Sequence, residues 1–126
     1  KYGGNIELED GTVIPNSELT FDPEPAKSYA FCSDTMYDES ILPIIENCDV
    51  LYHEATFLES EADKAEKTMH ATAKQAALIA AKANVKQLLL GHYSTRYANI
   101  ELFQEEALAL FPNVLLADDG KVFDFE

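Results

Sequence analysis

Four short stretches of the chain carry side chains able to do acid–base or metal chemistry: Ser33-Asp34-Thr35, His53-Glu54, His70 and His92. The chain has three histidines, and all of them fall in this set. Asp34 and His92 are ligand types that zinc accepts. A catalytic zinc site uses three protein ligands, however, and no His-x-His-x-Asp-His cluster is present. Spacing alone therefore allows an incomplete metal site. His70 sits just ahead of Thr72, which stands three residues before Gln75 in the capping-box pattern of a helix start. Free backbone N–H groups and the positive end of the helix dipole favour an anion there. A histidine beside such a terminus can hold a phosphate or protonate a leaving oxygen.

Each residue also has an ordinary reading. An Asp after a strand is commonly a turn or capping residue. A lone histidine at a strand end is commonly hydrogen-bonded structure. His53 and Glu54 point to opposite sides if the strand runs through them, so only one can face a shared site. The case for a site rests on convergence, because these residues all fall at the ends of proposed strands or at a helix start.

The elements that must position them alternate strand with helix. Lys27–Cys32, Asp49–Tyr52 and Val85–Leu90 are short apolar runs suited to buried strands. Asp38 is placed to cap a helix through Ile41, Leu42, Ile44 and Ile45, with Pro43 forcing it to bend or start late. Phe57 to Met69 is charged and predicts a loop with a helical turn. Thr72 opens an alanine-rich helix to about Ala83, with Ala76, Ala77, Ile79, Ala80 and Ala83 as its packed face. Asn99 is placed to cap a last helix over Ile100–Leu110, which Pro112 ends. Two hairpins are expected. One turns at Glu9-Asp10-Gly11-Thr12 between Asn5–Leu8 and Thr12–Ile14. The other turns at Asp118-Asp119-Gly120 between Val114–Ala117 and Lys121–Phe125. Such alternation predicts an α/β layer with helices covering a sheet, and ligands beyond the carboxyl ends of the strands.

Composition narrows the function classes. The 126 residues are 47% hydrophobic, which excludes a disordered chain. No apolar run approaches the roughly 20 residues of a membrane helix, so no membrane partner is expected. Cys32 and Cys48 lack a Cys-x-x-Cys pairing and are too few for a disulfide framework, which favours buried free thiols in a cytoplasmic protein. The net charge of −14 opposes a nucleic-acid surface made by this chain alone, and no DNA partner is expected.

Three runs carry a resemblance. Cys32-Ser33-Asp34-Thr35 with Asp49 through Phe57, then His70-Ala71-Thr72-Ala73 with Gln75-Ala76-Ala77, then Leu88 through Tyr97, resemble ribonuclease Z in content and order. Ribonuclease Z is a tRNA 3′-processing endoribonuclease of the metallo-β-lactamase superfamily. The match covers nearly the whole chain, residues 1–126, as the C-terminal half of that fold. It implies an α/β architecture, half of an αββα sandwich with a mixed sheet covered by helices. It also implies a zinc-dependent hydrolase with two zinc ions per complete site and precursor tRNA as substrate. By the resemblance, Asp34 would bridge the two metals and His92 would be a terminal ligand. His70 would contact the scissile phosphate or assist the leaving group, with Glu54 orienting it. Thr72 and Arg96 would bind substrate. The family's His-Ser-Thr is His70-Ala71-Thr72 here, and Ser33 stands where Gly is frequent. The family's other ligands belong to an N-terminal half outside this sequence, so this chain alone is expected to bind zinc weakly and not to cleave tRNA. Its exposed inner sheet face predicts a homodimer. Two other readings remain: another phosphodiesterase or hydrolase of the superfamily, and a non-enzymatic acidic module in which the four polar residues would stay apart in space.

Overall fold

The computed structural model describes residues 6–7, 13–14 and 23–124. Strands β1 (Ile6–Glu7) and β2 (Val13–Ile14) pair antiparallel, with Ile6 opposite Ile14. That is the pairing of the expected first hairpin, whose Glu9–Thr12 turn lies outside the described residues. The main sheet holds β3 (Tyr29–Cys32), β4 (Val50–Glu54), β5 (Gln87–Gly91) and β6 (Val114–Leu116), side by side in chain order. Every neighbouring pair is parallel. The expectation of a mixed sheet is thus corrected among the described residues. The reason is topological: each connection between neighbouring strands runs through a helix, and parallel neighbours require such a crossover.

Those helices are α1 (Leu42–Ile45), α2 (Ala62–Lys67), α3 (Ala73–Ala83) and α4 (Glu101–Leu108). Pro43 is tolerated because α1 starts late and places it in the first turn, where its missing N–H is not needed. Asp38 caps the single 3₁₀ turn ahead of α1, accepting the Ser40 N–H at 2.9 Å. At α3 the capping box is complete. The Gln75 N–H donates to Thr72 Oγ1 at 3.1 Å, and the Thr72 N–H donates to Gln75 Oε1 at 3.0 Å. Asn84 ends α3 in the left-handed region at φ 53°, a conformation Asn tolerates well. The N-cap position of α4 is Ile100, and one residue ahead of it the Asn99 side chain accepts the Glu101 N–H at 3.1 Å.

One sheet face is a packed core and the other is open. Leu51, Leu88, Leu90, Val114 and Leu116 meet Ile79, Phe103, Ala107 and the alanines of α3. Ala73, Ala76, Ala77 and Ala80 are fully buried, which fits a helix lying close on the strands. The other face shows Tyr29 and Phe31, 50% and 63% exposed, and Phe31 stacks on Tyr52 with ring centroids 4.6 Å apart. Both cysteines are free, Cys48 buried and Cys32 half-buried. The second expected hairpin does not form among the described residues. β6 pairs with β5 in parallel, and after the turn at Asp119-Gly120 no strand is formed through Asp124. Residues beyond that point lie outside the described set.

Gly91 ends β5 in close contact with Tyr52. A Cβ there would overlap the Tyr52 hydroxyl and sit 2.7 Å from two of its ring carbons. Gly91→Ala is expected to cost about 1–3 kcal/mol by overpacking. Urea denaturation measures this, and the cost should fall sharply in a Tyr52→Ala background, where the obstructing ring is gone.

Candidate active site

Strand parity divides the His53-Glu54 pair. In the register, Cys32, His53 and Leu90 are aligned, as are Phe31, Tyr52 and Leu89. His53 therefore joins the helix-covered core and Glu54 joins the open face. His53 Nδ1 lies 2.8 Å from the Glu54 carbonyl oxygen, and its Nε2 finds no partner among the described residues. Burial pushes the His53 pKa down, so the ring is neutral. Of the pair, Glu54 is the one that faces the site.

Glu54 is 0% exposed. Its carboxylate is saturated: Oε1 accepts from the Thr35 N–H at 2.8 Å and from His70 Nδ1 at 2.9 Å. Oε2 accepts from the Thr56 hydroxyl at 2.7 Å and from the Ala71 N–H at 2.9 Å. Desolvation alone would raise its pKa. The donations from Ala71, His70 and Thr56 outweigh it, and the net pKa is lowered. An alanine at position 71 keeps the backbone donor that this carboxylate uses, and its side chain is fully buried.

The flanking loops close around this carboxylate. Beyond β4, the Thr56 N–H donates to the Ala71 carbonyl at 3.0 Å, and the Thr56 carbonyl accepts from the Ser94 N–H at 2.9 Å. The segment after β4 is thereby tied to the loop before α3 and to the loop after β5. His70 and His92 ride on those two loops, with ring centroids 5.3 Å apart. His70 Nδ1 is also 3.7 Å from Asp34 Oδ1. All four residues singled out from the sequence (Asp34, Glu54, His70 and His92) are thus gathered at one end of the sheet. The separation that a binding-module reading requires is not found. Asp34 and His92 adopt φ of 54° and 63°, positions where Asp and His are among the more tolerated non-glycine residues.

Ligand-capable atoms of Glu54, His70 and His92 lie within 4.8 Å of one another, a grouping that fits metal binding. Hydrogen bonding refines that set. The Glu54 oxygens already accept four donors, so this carboxylate serves better as an anchor than as a ligand. Asp34, with its side chain 78% exposed, and His92 retain donor atoms for a cation. Arg96 is exposed, and its guanidinium lies 5.4 Å from the Phe57 ring centre in a cation–π contact. Thr72 is fully buried. Its hydroxyl caps α3 and donates to Glu59 Oε1 at 2.7 Å, so the side chain is spent on structure. Thr56 was missed as a functional residue in the sequence, although its placement two residues beyond Glu54, on the same side if the strand continues, was a usable signal.

No protein-family model matches the chain. Curated relatives do. The chain is 49% identical over 95% of its length to a ribonuclease Z of Parabacteroides distasonis. It is 46% identical over 97% of its length to one of Porphyromonas gingivalis. It spans about 40% of the length of each. Among solved structures, a metallo-β-lactamase fold protein of Bacillus subtilis superposes at TM-score 0.73 with 26% identity, over 79% of this chain and 40% of that one. The short form of human tRNase Z superposes at 0.60 with 25% identity, over 90% of this chain and 37% of that one. The chain thus has the fold of part of a metallo-β-lactamase domain, and its similarity to proteins named ribonuclease Z runs along nearly its whole length.

Glu54→Gln replaces an all-acceptor group by one that carries its own N–H donors, against two backbone N–H groups that can only donate. A loss of about 1–3 kcal/mol is expected at neutral pH. Because the folded pKa of Glu54 is depressed, its contribution is present above the ordinary carboxyl value of about 4.3 and is lost as pH falls through the folded value. Denaturant titrations from pH 7 down to pH 3 should therefore show a shallower acid limb in Glu54→Gln than in the parent.

Proposed function

We propose that this chain is the C-terminal part of a zinc-dependent endoribonuclease that removes 3′ trailers from precursor tRNA, and that it supplies one side of a two-metal site. The observation that carries the proposal is the meeting of Asp34, Glu54, His70 and His92 at one sheet end, in a chain 46–49% identical to proteins named ribonuclease Z. The donor set fits zinc, which takes carboxylate oxygen and imidazole nitrogen. Asp34 and His92 would be the residues of this chain that hold the zinc ions. Zinc, when bound, supplies Lewis-acid polarisation of the phosphodiester.

This chain's own residues do the rest on their side of the site. Glu54 holds the proton of His70 at Nδ1, which leaves Nε2 to face the scissile phosphate or its leaving oxygen. The same pairing orients the ring and raises its basicity. Arg96, held 5.4 Å from the Phe57 ring centre and otherwise exposed, would offer its guanidinium to a substrate phosphate. Thr72 supports the site indirectly, by building the helix start behind His70. At −14, this chain lacks the charge to hold tRNA, so the basic surface belongs to the remainder of the protein. Such an enzyme works in the cytoplasm. No helix of the described residues is long and apolar enough to cross a membrane.

Parallel sheets are covered on both faces, and here the face that carries Phe31 is partly exposed, Phe31 itself at 63%. In the whole protein, the part of the relatives' length that this chain does not span would cover it. In isolation, two copies would pair through Tyr29, Phe31 and Tyr52. Light scattering should then give a homodimer, and a Phe31→Glu variant a monomer.

The deciding experiment measures zinc content and precursor-tRNA cleavage of this chain before and after addition of a separately made N-terminal half. About two zinc ions per complex and cleavage in the mixture alone are expected, as two-metal chemistry requires. His70→Ala in that mixture should lower kcat about 10²- to 10⁴-fold. An assembled mixture with neither zinc nor activity overturns the proposal, and cleavage by this chain alone overturns its partial-site element. A second reading keeps the fold and changes the reaction, to another phosphodiesterase or hydrolase, since the chain also superposes on a Bacillus subtilis protein named only for its metallo-β-lactamase fold. Turnover of bis(p-nitrophenyl) phosphate with intact precursor tRNA would favour it.

A further inference from the structure

The Thr56 hydroxyl touches three site groups at once: Glu54 Oε2 at 2.7 Å, His92 Nδ1 at 2.9 Å and His70 Nδ1 at 3.4 Å. A hydroxyl has one hydrogen to give. Backbone N–H groups of Thr35 and Ala71 donate to the two Glu54 oxygens, so both oxygens act as acceptors. The short contact to Oε2 therefore takes the threonine hydrogen. His70 Nδ1 is nearer to Glu54 Oε1, at 2.9 Å, and donates there. What remains at Thr56 is a lone pair directed at His92 Nδ1. That contact is a hydrogen bond only if His92 carries its proton on Nδ1.

We infer that Thr56 is a positioning residue that holds His92 in the Nδ1–H tautomer and so leaves Nε2 as its free donor atom. The inference rests on the proposed role of His92 as a metal ligand. It adds the element that prepares the ligand before metal arrives. Thr56 suits the task because it cannot drift. Its N–H is bound to Ala71 and its carbonyl to Ser94, and the residue is 7% exposed. The buried charge of Glu54 thus reaches His92 through one hydroxyl, while it reaches His70 directly. One carboxylate sets the tautomer of both imidazoles. Partners of this kind, one step behind a ligand, typically affect metal affinity about 10- to 100-fold.

The test reads the tautomer directly in the metal-free 126-residue chain. Long-range ¹H–¹⁵N spectra at pH 8 assign the proton of the His92 ring. The expected result is Nδ1–H in the parent and in Thr56→Ser, with an appreciable Nε2–H population in Thr56→Val. Zn²⁺ titration should give about 10- to 100-fold weaker binding for Thr56→Val, restored in Thr56→Ser. An Nε2–H ring in the parent overturns the inference even if the valine variant fails to fold. A ring still held as Nδ1–H in folded Thr56→Val overturns it too. If instead the tautomer responds as expected but His92→Ala leaves Zn²⁺ affinity unchanged, the ligand role proposed for His92 fails and the tautomer control stands.

Discussion

A carboxylate taken out of water loses several kcal/mol of solvation unless fixed donors replace the lost shell. Glu54 is such a group, and its four donors come from three separate segments of the chain. Thr35 follows β3, Thr56 extends β4, and His70 and Ala71 precede α3. None of these donors can leave without exposing a buried charge to an apolar surround. The polar network is therefore also the device that holds the loops together, and breaking it is far costlier than its individual bonds suggest. His92 joins the same arrangement through Thr56 rather than by contact with the carboxylate.

The sheet places this anchor where it is useful. Parallel strands end together, so the segments leaving β3, β4 and β5 emerge on one edge and can be tied across it. The alanine face of α3 lies close on the strands and carries the helix start, with its capped Thr72, to that same edge. Among the described residues the packed core lies on the helix side of the sheet, and exposed aromatics lie on the other. The aromatic pair of Phe31 and Tyr52 marks that other side. Fold and proposed site point the same way: among the described residues one sheet face keeps exposed aromatics, and the proposed metal site would draw further ligands from the rest of the protein.

The three central strands, the late start of α1, the Thr72 box and the start of α4 just after Asn99 were legible in the sequence, because each rests on interactions within a few residues. The gathering of Asp34, Glu54, His70 and His92 was legible as a tendency, from the rule that parallel strands deliver their ends to one edge. Other features were not legible, for identifiable reasons. The Asp118-Asp119-Gly120 signal is local, whereas β6 is claimed by a parallel partner far away in sequence. The hydroxyl of Thr56 reaches a residue 36 positions away, and no local pattern reports that contact. The contact of Arg96 with the Phe57 ring joins residues 39 positions apart through the loop that follows β5, and no local pattern reports it. A substrate contact for Thr72 came only from the family resemblance, and the fold uses its hydroxyl to accept from the Gln75 N–H and to donate to Glu59.

Asp34 and His92 share one backbone property, a left-handed φ. That geometry admits Asn, Asp, His and Gly far more readily than branched or bulky residues. The chain at these two points therefore acts as a filter on chemistry. A drift from Asp34 to Asn keeps the backbone content while removing the charge, and a drift to Val or Ile meets steric resistance before any ligand is considered. The repertoire of side chains that can stand at this sheet edge is narrowed by main-chain sterics. Short carboxylate, amide and imidazole groups, the ones best suited to coordinating and proton-handling work, are among those that pass.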